Sequence, residues 1–166
     1  MKVRISGQIV MVLLALVLSL ATAPEVRAAS TQPPALGDGV VVNKSGFAFA
    51  ETVTRLKKDI ADKGLVFFSE IDQAKLASGA NITLKPSTLL VFGNPALGTL
   101  FLTSNPYSGL DWPVRLLVTE DDAGQVWISY TDFAYIAHRH HIADRDAEFK
   151  KASGVIGSIA DSVMHK

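Results

Sequence analysis

His138, His140 and His141 form the densest group of metal-ligating side chains in the sequence. Neutral imidazole is a good ligand for zinc, copper or nickel. On a helix His138 and His141 share a face; on an extended segment His138 and His140 do. Asp132, Asp144 or Asp146 could add a carboxylate oxygen. The competing reading is structural: the three histidines end a short helix, where the helix dipole favours a partly protonated ring. No His-Glu-x-x-His motif and no second cluster accompany them.

A second set of polar groups suits a ligand better than a metal. Asn94 follows Gly93 and precedes Pro95, at the junction between an apolar run and a helix start. Free N–H groups at such a junction can meet an anion, although the same residues also serve simply to cap the helix. Asp111 beside Trp112-Pro113, with Arg115 four positions on, can form a carboxylate–guanidinium pair next to an aromatic wall. Such a pair recognises polar ligands or pins a loop. Asn94, Asp111, Arg115 and His140 are therefore the candidate ligand-binding residues. Catalysis by the same four would require them to converge on one pocket. No Gly-x-Ser-x-Gly elbow, phosphate-binding lysine motif or Gly-x-Gly-x-x-Gly fingerprint is present. Binding is expected rather than catalysis, and no catalytic residue and no cofactor is expected.

The elements that hold these groups must come from a chain of 166 residues, enough for one domain with a short appendage. Sixteen basic and sixteen acidic side chains balance. That argues against nucleic-acid binding through bulk positive charge. The absence of cysteine removes disulfides, thiolate metal sites, a cysteine nucleophile and a lipid anchor on cysteine.

The N-terminus reads as an address. Lys2 and Arg4 precede Ile9 to Ala21, an apolar run broken only by Ser19. Its thirteen residues fall short of the roughly 20 needed to span a bilayer and suit a secretory core. Val26-Arg27-Ala28 supplies a small-x-small cleavage site, and Ala21-Thr22-Ala23 a poorer one because Pro24 would follow the cut. Residues 1–28 are thus expected to be a signal peptide, placing the mature chain in the periplasm or outside the cell with no stable membrane insertion. An uncleaved anchor is the alternative. Cleavage removes three basic residues and one acid, which leaves a formal charge of −2 over 138 residues.

Residues 29–39, with Pro33-Pro34, Gly37 and Asp38, read as a flexible lead-in, and 40–166 as one domain. Val40 to Val42 is β-branched and reads as a strand. Phe49, Val53, Leu56 and Ile60 recur on one helical face, and Gly64 stops that helix. Leu65 to Ile71 restarts as a strand, and Asp72 caps a short helix that ends at Gly79. Ser87 to Gly93 fits a central strand buried on both faces, after which Asn94 caps and Pro95 opens a helix. Val114 to Val118 and Val126 to Tyr130 flank Asp121-Asp122-Ala123-Gly124 as a hairpin. Asp132 caps a short helix to about Arg139. Phe149, Ala152, Ile156, Ile159, Ala160 and Val163 mark a final amphipathic helix. The sum is an α+β, two-layer fold, a mostly antiparallel sheet with helices on one face.

Phe92-Gly93-Asn94-Pro95, then Gly98-Thr99, then Leu110-Asp111-Trp112-Pro113 resemble the domain-of-unknown-function 302 family. Ser45, Thr52, Leu56, Gly64, Ile71-Asp72, Gly124 and Arg139-His140 fall in the matching order, so the resemblance covers about Val40 to Ile142. It implies a compact α+β fold and pairing into homodimers. If the chain pairs, the exposed Val/Trp-rich hairpin edge or an apolar helix face is expected to be covered by its twin. It does not imply an activity. Relatives often carry a histidine after the Ile-Asp step, where this chain has Gln73, and a methionine soon after Gly-Thr, where it has Phe101 and Leu102.

The expectation is an exported module that binds a small molecule or a protein partner as a homodimer, with metal handling by the three histidines as the alternative and an enzyme of unknown reaction as a second. The address makes the first prediction. Intact-mass analysis of the exported protein should find Ala29 at its N-terminus; recovery of the full-length chain fixed in membrane would overturn it.

Overall fold

The computed structural model describes residues 36–166. The expected signal peptide and most of the expected lead-in lie outside the described residues. Five strands, β1 (Val40–Lys44), β2 (Val66–Asp72), β3 (Ser87–Gly93), β4 (Val114–Glu120) and β5 (Val126–Thr131), form one sheet in the order β1-β5-β4-β3-β2. Every neighbouring pair is antiparallel. The helices are α1 (Phe49–Asp62), α2 (Gln73–Gly79), α3 (Pro95–Ser104), α4 (Phe133–Arg139) and α5 (Asp146–Asp161), with a 3₁₀ turn at Pro106–Leu110. This is the expected α+β arrangement.

Strand alternation decides which face is covered. Leu90 and Phe92 of β3, Leu116 and Val118 of β4, and Val126 and Ile128 of β5 point to one side and are buried. They meet Leu56 and Ile60 of α1 and Phe149, Ile156 and Ile159 of α5 in a single cluster. The opposite side carries Val42, Leu89, Leu117, Ser129 and Trp127, all only half-buried. That corrects one expectation. Strand β3 is interior to the sheet, but its second face is not buried, because Leu89 and Val91 lie on the side away from the core.

The hairpin is also more enclosed than expected. Strand β4 pairs with β3 and β5 pairs with β1, so neither has a free edge to offer a second copy. The free edges belong to β1 and β2. Strand β2 exposes Val66, Phe67 and Phe68, and its pairing with β3 slips by one residue between Phe67 and Ser69. Asp121 locks the hairpin turn by accepting from the Ala123 and Gln125 N–H groups at 2.9 Å each and from the Trp127 indole at 2.8 Å. Those bonds, the indole's foremost, hold its carboxyl below the usual carboxylate range.

The local stop and start signals act as their chemistry requires. Gly64 adopts φ +66°, which lets its N–H reach Ala61 O and the Leu65 N–H reach Ile60 O, closing α1. Asp72 accepts from Lys75 N–H at 2.8 Å to start α2, and Asp132 accepts from Ala134 N–H at 2.9 Å to start α4. Thr52, one turn before Leu56 on the inward face of α1, is fully buried. Its hydroxyl lies 2.7 Å from that of Ser45, which also donates to Val163 O at 3.2 Å. A buried hydroxyl pair thus ties the first strand-to-helix turn to the end of the chain.

Candidate functional site

The segment Gly93-Asn94-Pro95 forms where β3 ends and α3 begins. Asn94 Oδ1 accepts from the Leu97 N–H at 3.1 Å, and Pro95 occupies the first turn without a donor to lose. The two glycines that flank this cap have a different task. A Cβ added at either Gly93 or Gly98 would overlap the indole ring of Trp112. The ring therefore rests against bare backbone of the strand end and the first turn of α3. The Trp112-Pro113 peptide is cis. Sequence spacing shows two glycines, a capping asparagine and a distant tryptophan; the structure shows one packing unit.

Trp112 forms part of the wall of a cavity of about 520 Å³. That size lies within the roughly 300–1,000 Å³ usual for small-molecule sites. Phe92, Leu97, Phe101 and Val114 line one side, and Ala152, Val155 and Ile156 of α5 line the other. Phe101 stacks on Phe149 with ring centroids 4.1 Å apart, and both stand 6.4 Å from Phe133, which also lines the cavity. Polar groups are few: Asn94, Lys63, Lys151 and Ser158. Gly154 lines the cavity as well, and nothing lies within 4 Å of a Cβ placed there. The α5 wall is not legible in the sequence, where this stretch reads only as an amphipathic helix with its apolar stripe on the core. Nothing in its spacing distinguishes a glycine beside a cavity from one facing water.

Asp111, Arg115 and His140 do come together, at the other side of Trp112. Asp111 has a side chain only 5% exposed, and His140 Nε2 approaches its Oδ2 to 2.6 Å. Arg115 Nη2 stands 3.2 Å from Oδ1, and Arg139 Nη1 adds a contact at 3.3 Å. Arg115 also donates to Leu110 O at 2.7 Å, and Asn105 Nδ2 donates to His140 O at 2.8 Å. The carboxylate thus has three donors of its own and joins the loop before β4 to the end of α4. Beside it lies a recess of about 10 Å³, lined by Asp111 and Arg115. That is room for at most one water. Asn94 lines the large cavity instead, so the four candidate residues do not converge on one concavity. The enzyme reading that required such convergence loses its geometric basis.

The histidines do not form one donor set either. Helix α4 ends at Arg139, and His141 takes φ +51° as the left-handed residue beyond it. The His141 and Ile142 N–H groups bond back to His138 O and Ala137 O. This stop directs His140 inward to Asp111 and leaves His138 and His141 exposed, their rings 6.4 Å apart. Among the described residues no three His, Cys, Asp or Glu side chains are placed to hold a metal ion. Gln73, at the position where relatives often have histidine, accepts from Ser87 Oγ at 2.6 Å.

Fold and site together define an antiparallel α+β protein with an apolar cavity at one end of the sheet. Residues 41–159 match the family described as "Domain of unknown function DUF302", and the chain belongs to it. A crystal structure of an uncharacterized conserved DUF302 protein from Bacillus stearothermophilus has the same fold. It superimposes with a TM-score of 0.69 at 14% identity, over 76% of this chain and 99% of that one. The chain is 35% identical over 107 residues to a protein named fluoride-specific ion channel FluC 1 from Brucella suis, covering 64% of this chain and 42% of that one. FluC 1 of Brucella abortus and FluC 2 of Brucella melitensis match at the same identity, with 40% of their length covered. The chain therefore spans about two fifths of these relatives. Among the described residues no helix is long and apolar enough to cross a membrane.

The glycine–indole contact makes the second prediction. Gly98→Ala should cost about 1–3 kcal/mol, the usual range for overpacking, read from the midpoint of urea unfolding. In a Trp112→Leu background the same change should cost distinctly less, since neighbours that share a contact are not additive. Equal costs in both backgrounds would show that the indole is not what Gly98 accommodates.

Proposed function

We propose that the mature chain is an exported binding module, and that its cavity between α3, α5 and the ends of β3 and β4 holds a small, largely apolar molecule. The observation that carries this reading is the cavity itself: about 520 Å³, walled by Trp112, Phe101, Leu97 and Val155, in a chain with no cysteine to staple it. An apolar recess of this size, open to solvent on one side and carrying few polar groups, has the form usual for a small-molecule site. Export rests on the charged start, short apolar core and Val26-Arg27-Ala28 site. The partial likeness to proteins named as fluoride-specific channels covers 42% or 40% of their length, which favours a shared module over a shared pore.

Calorimetric titration with 1-decanol as an apolar probe tests the cavity. Binding should be saturable at one site, with a negative heat-capacity change from apolar burial. Gly154→Leu should weaken it by about tenfold, or roughly 1.4 kcal/mol, while leaving the thermal midpoint near that of the parent. Absence of saturable binding, or binding unchanged by Gly154→Leu, would sink the reading.

The module works as a homodimer in this proposal, and the fold moves the expected interface. With the hairpin enclosed, the surface this proposal assigns to a second copy is the half-buried sheet face around Val42, Leu89, Leu117 and Trp127, in place of the hairpin edge or an apolar helix face. Two such faces can stack about 10 Å apart, as sheets do in sandwiches. Light scattering at tens of micromolar, roughly the range of specific affinities, should give twice the chain mass, and Leu117→Lys should halve it. A monomer for the parent protein would remove the dimer without touching the cavity.

A further inference from the structure

The walls of the cavity are apolar, but the polar groups along it share one character. Lys63, Lys151, Asn94 and Ser158 are the polar or charged side chains that line it, and none is a carboxylate. Lys63 is already engaged, with Nζ at 2.8 and 2.7 Å from the two oxygens of Asp59. Lys151 is different. It is exposed, lines the cavity from α5, and takes part in no ion pair among the described residues, although Glu148 stands one turn before it. Asn94 spends Oδ1 on the Leu97 N–H, so the group it can offer a ligand is the Nδ2 donor. Ser158, also exposed, brings a hydroxyl to the same opening.

An apolar chamber whose opening carries an uncompensated ammonium selects for a molecule with two ends. A neutral hydrocarbon would satisfy the walls and leave Lys151 unused. A cationic amphiphile would set like charges together. A carboxylate with an apolar body satisfies both: the body takes the aromatic and aliphatic wall, and the head meets Lys151 where water still reaches it. We infer that the ligand class is an amphipathic monocarboxylate, seated with its hydrocarbon part against Trp112, Phe101 and Val155 and its carboxylate beside Lys151. The inference rests on the cavity reading above and narrows it.

The exposure of Lys151 sets the size of the effect and also makes it a safe residue to change. A partly exposed ion pair is worth at most about 1 kcal/mol, so the charge should contribute a preference of about fivefold rather than a large one. The test compares decanoate, 1-decanol and decyltrimethylammonium by calorimetry on the purified protein and on Lys151→Gln. Decanoate should bind about fivefold more tightly than decanol at low ionic strength, and decyltrimethylammonium more weakly than either. In Lys151→Gln the ratio of decanoate to decanol affinity should fall to about one, whatever small change both affinities share. Equal binding of decanoate and decanol to the parent protein would overturn the carboxylate assignment and leave the cavity reading standing. So would a preference that survives Lys151→Gln. Failure of all three probes to bind would overturn the cavity reading and the ligand class with it.

Discussion

The contact between the Trp112 indole and the backbone at Gly93 and Gly98 is the constraint on which the functional end of the molecule depends. It joins three parts of the chain that are distant in sequence: the end of β3, the first turn of α3 and the entry to β4. Because the glycines carry no Cβ, the ring can approach the backbone itself. The space that remains beyond the ring is then bounded by α5. A larger residue at either glycine would push the indole outward and alter the wall, so the size of the chamber and the close approach of backbone to ring are one property. Asp111, next to Trp112 in sequence, fixes the same loop from the other side through His140 and two arginines. Wall and anchor are adjacent residues with opposite chemistry, one apolar and packed, the other charged and fully paired.

Much of the architecture can be read from residue periodicity. The α5 stripe of Phe149, Ala152, Ile156, Ile159 and Ala160, continued by Val163 in the turn beyond the helix, is buried throughout, because a 3.6-residue repeat leaves one face for the core. The caps at Asp72, Asn94 and Asp132 are legible for the same local reason: a short side-chain oxygen before a helix has an N–H to accept from. What escapes this reading is relational. Continuous apolarity in β3 fits a strand covered on both sides, yet it does not say whether a helix or nothing lies over Leu89 and Val91. The enclosure of the hairpin depends on β1 returning to pair with β5, a long-range choice that hydrophobic pattern does not encode.

The candidate site was legible in its parts and not in its grouping. The pairing of Asp111 with Arg115 follows from four-residue proximity, whereas the partnership of Asp111 with His140 spans 29 positions and required the fold. Asn94 could be identified as a cap, but its place on the wall of a cavity rather than beside Asp111 could not. The histidines show how backbone geometry overrides composition. A left-handed residue at His141 turns the chain so that one imidazole faces inward and its neighbours face solvent. Three ligands in four positions therefore become one structural residue and two surface ones.

The one-residue slip in β2 bears on how a free strand edge behaves when many copies of the chain are close together. An uncovered strand presenting Val66, Phe67 and Phe68 is an open template on which identical chains could add strand upon strand into insoluble fibrils. The irregularity at Phe68 interrupts the even row of donors and acceptors that such growth would copy. Lys57, ion-paired with Glu70 and 5.5 Å from the Phe67 ring, posts a charge beside the same strand. A bulge and a charge beside an uncovered apolar strand are the devices by which sheets discourage such growth.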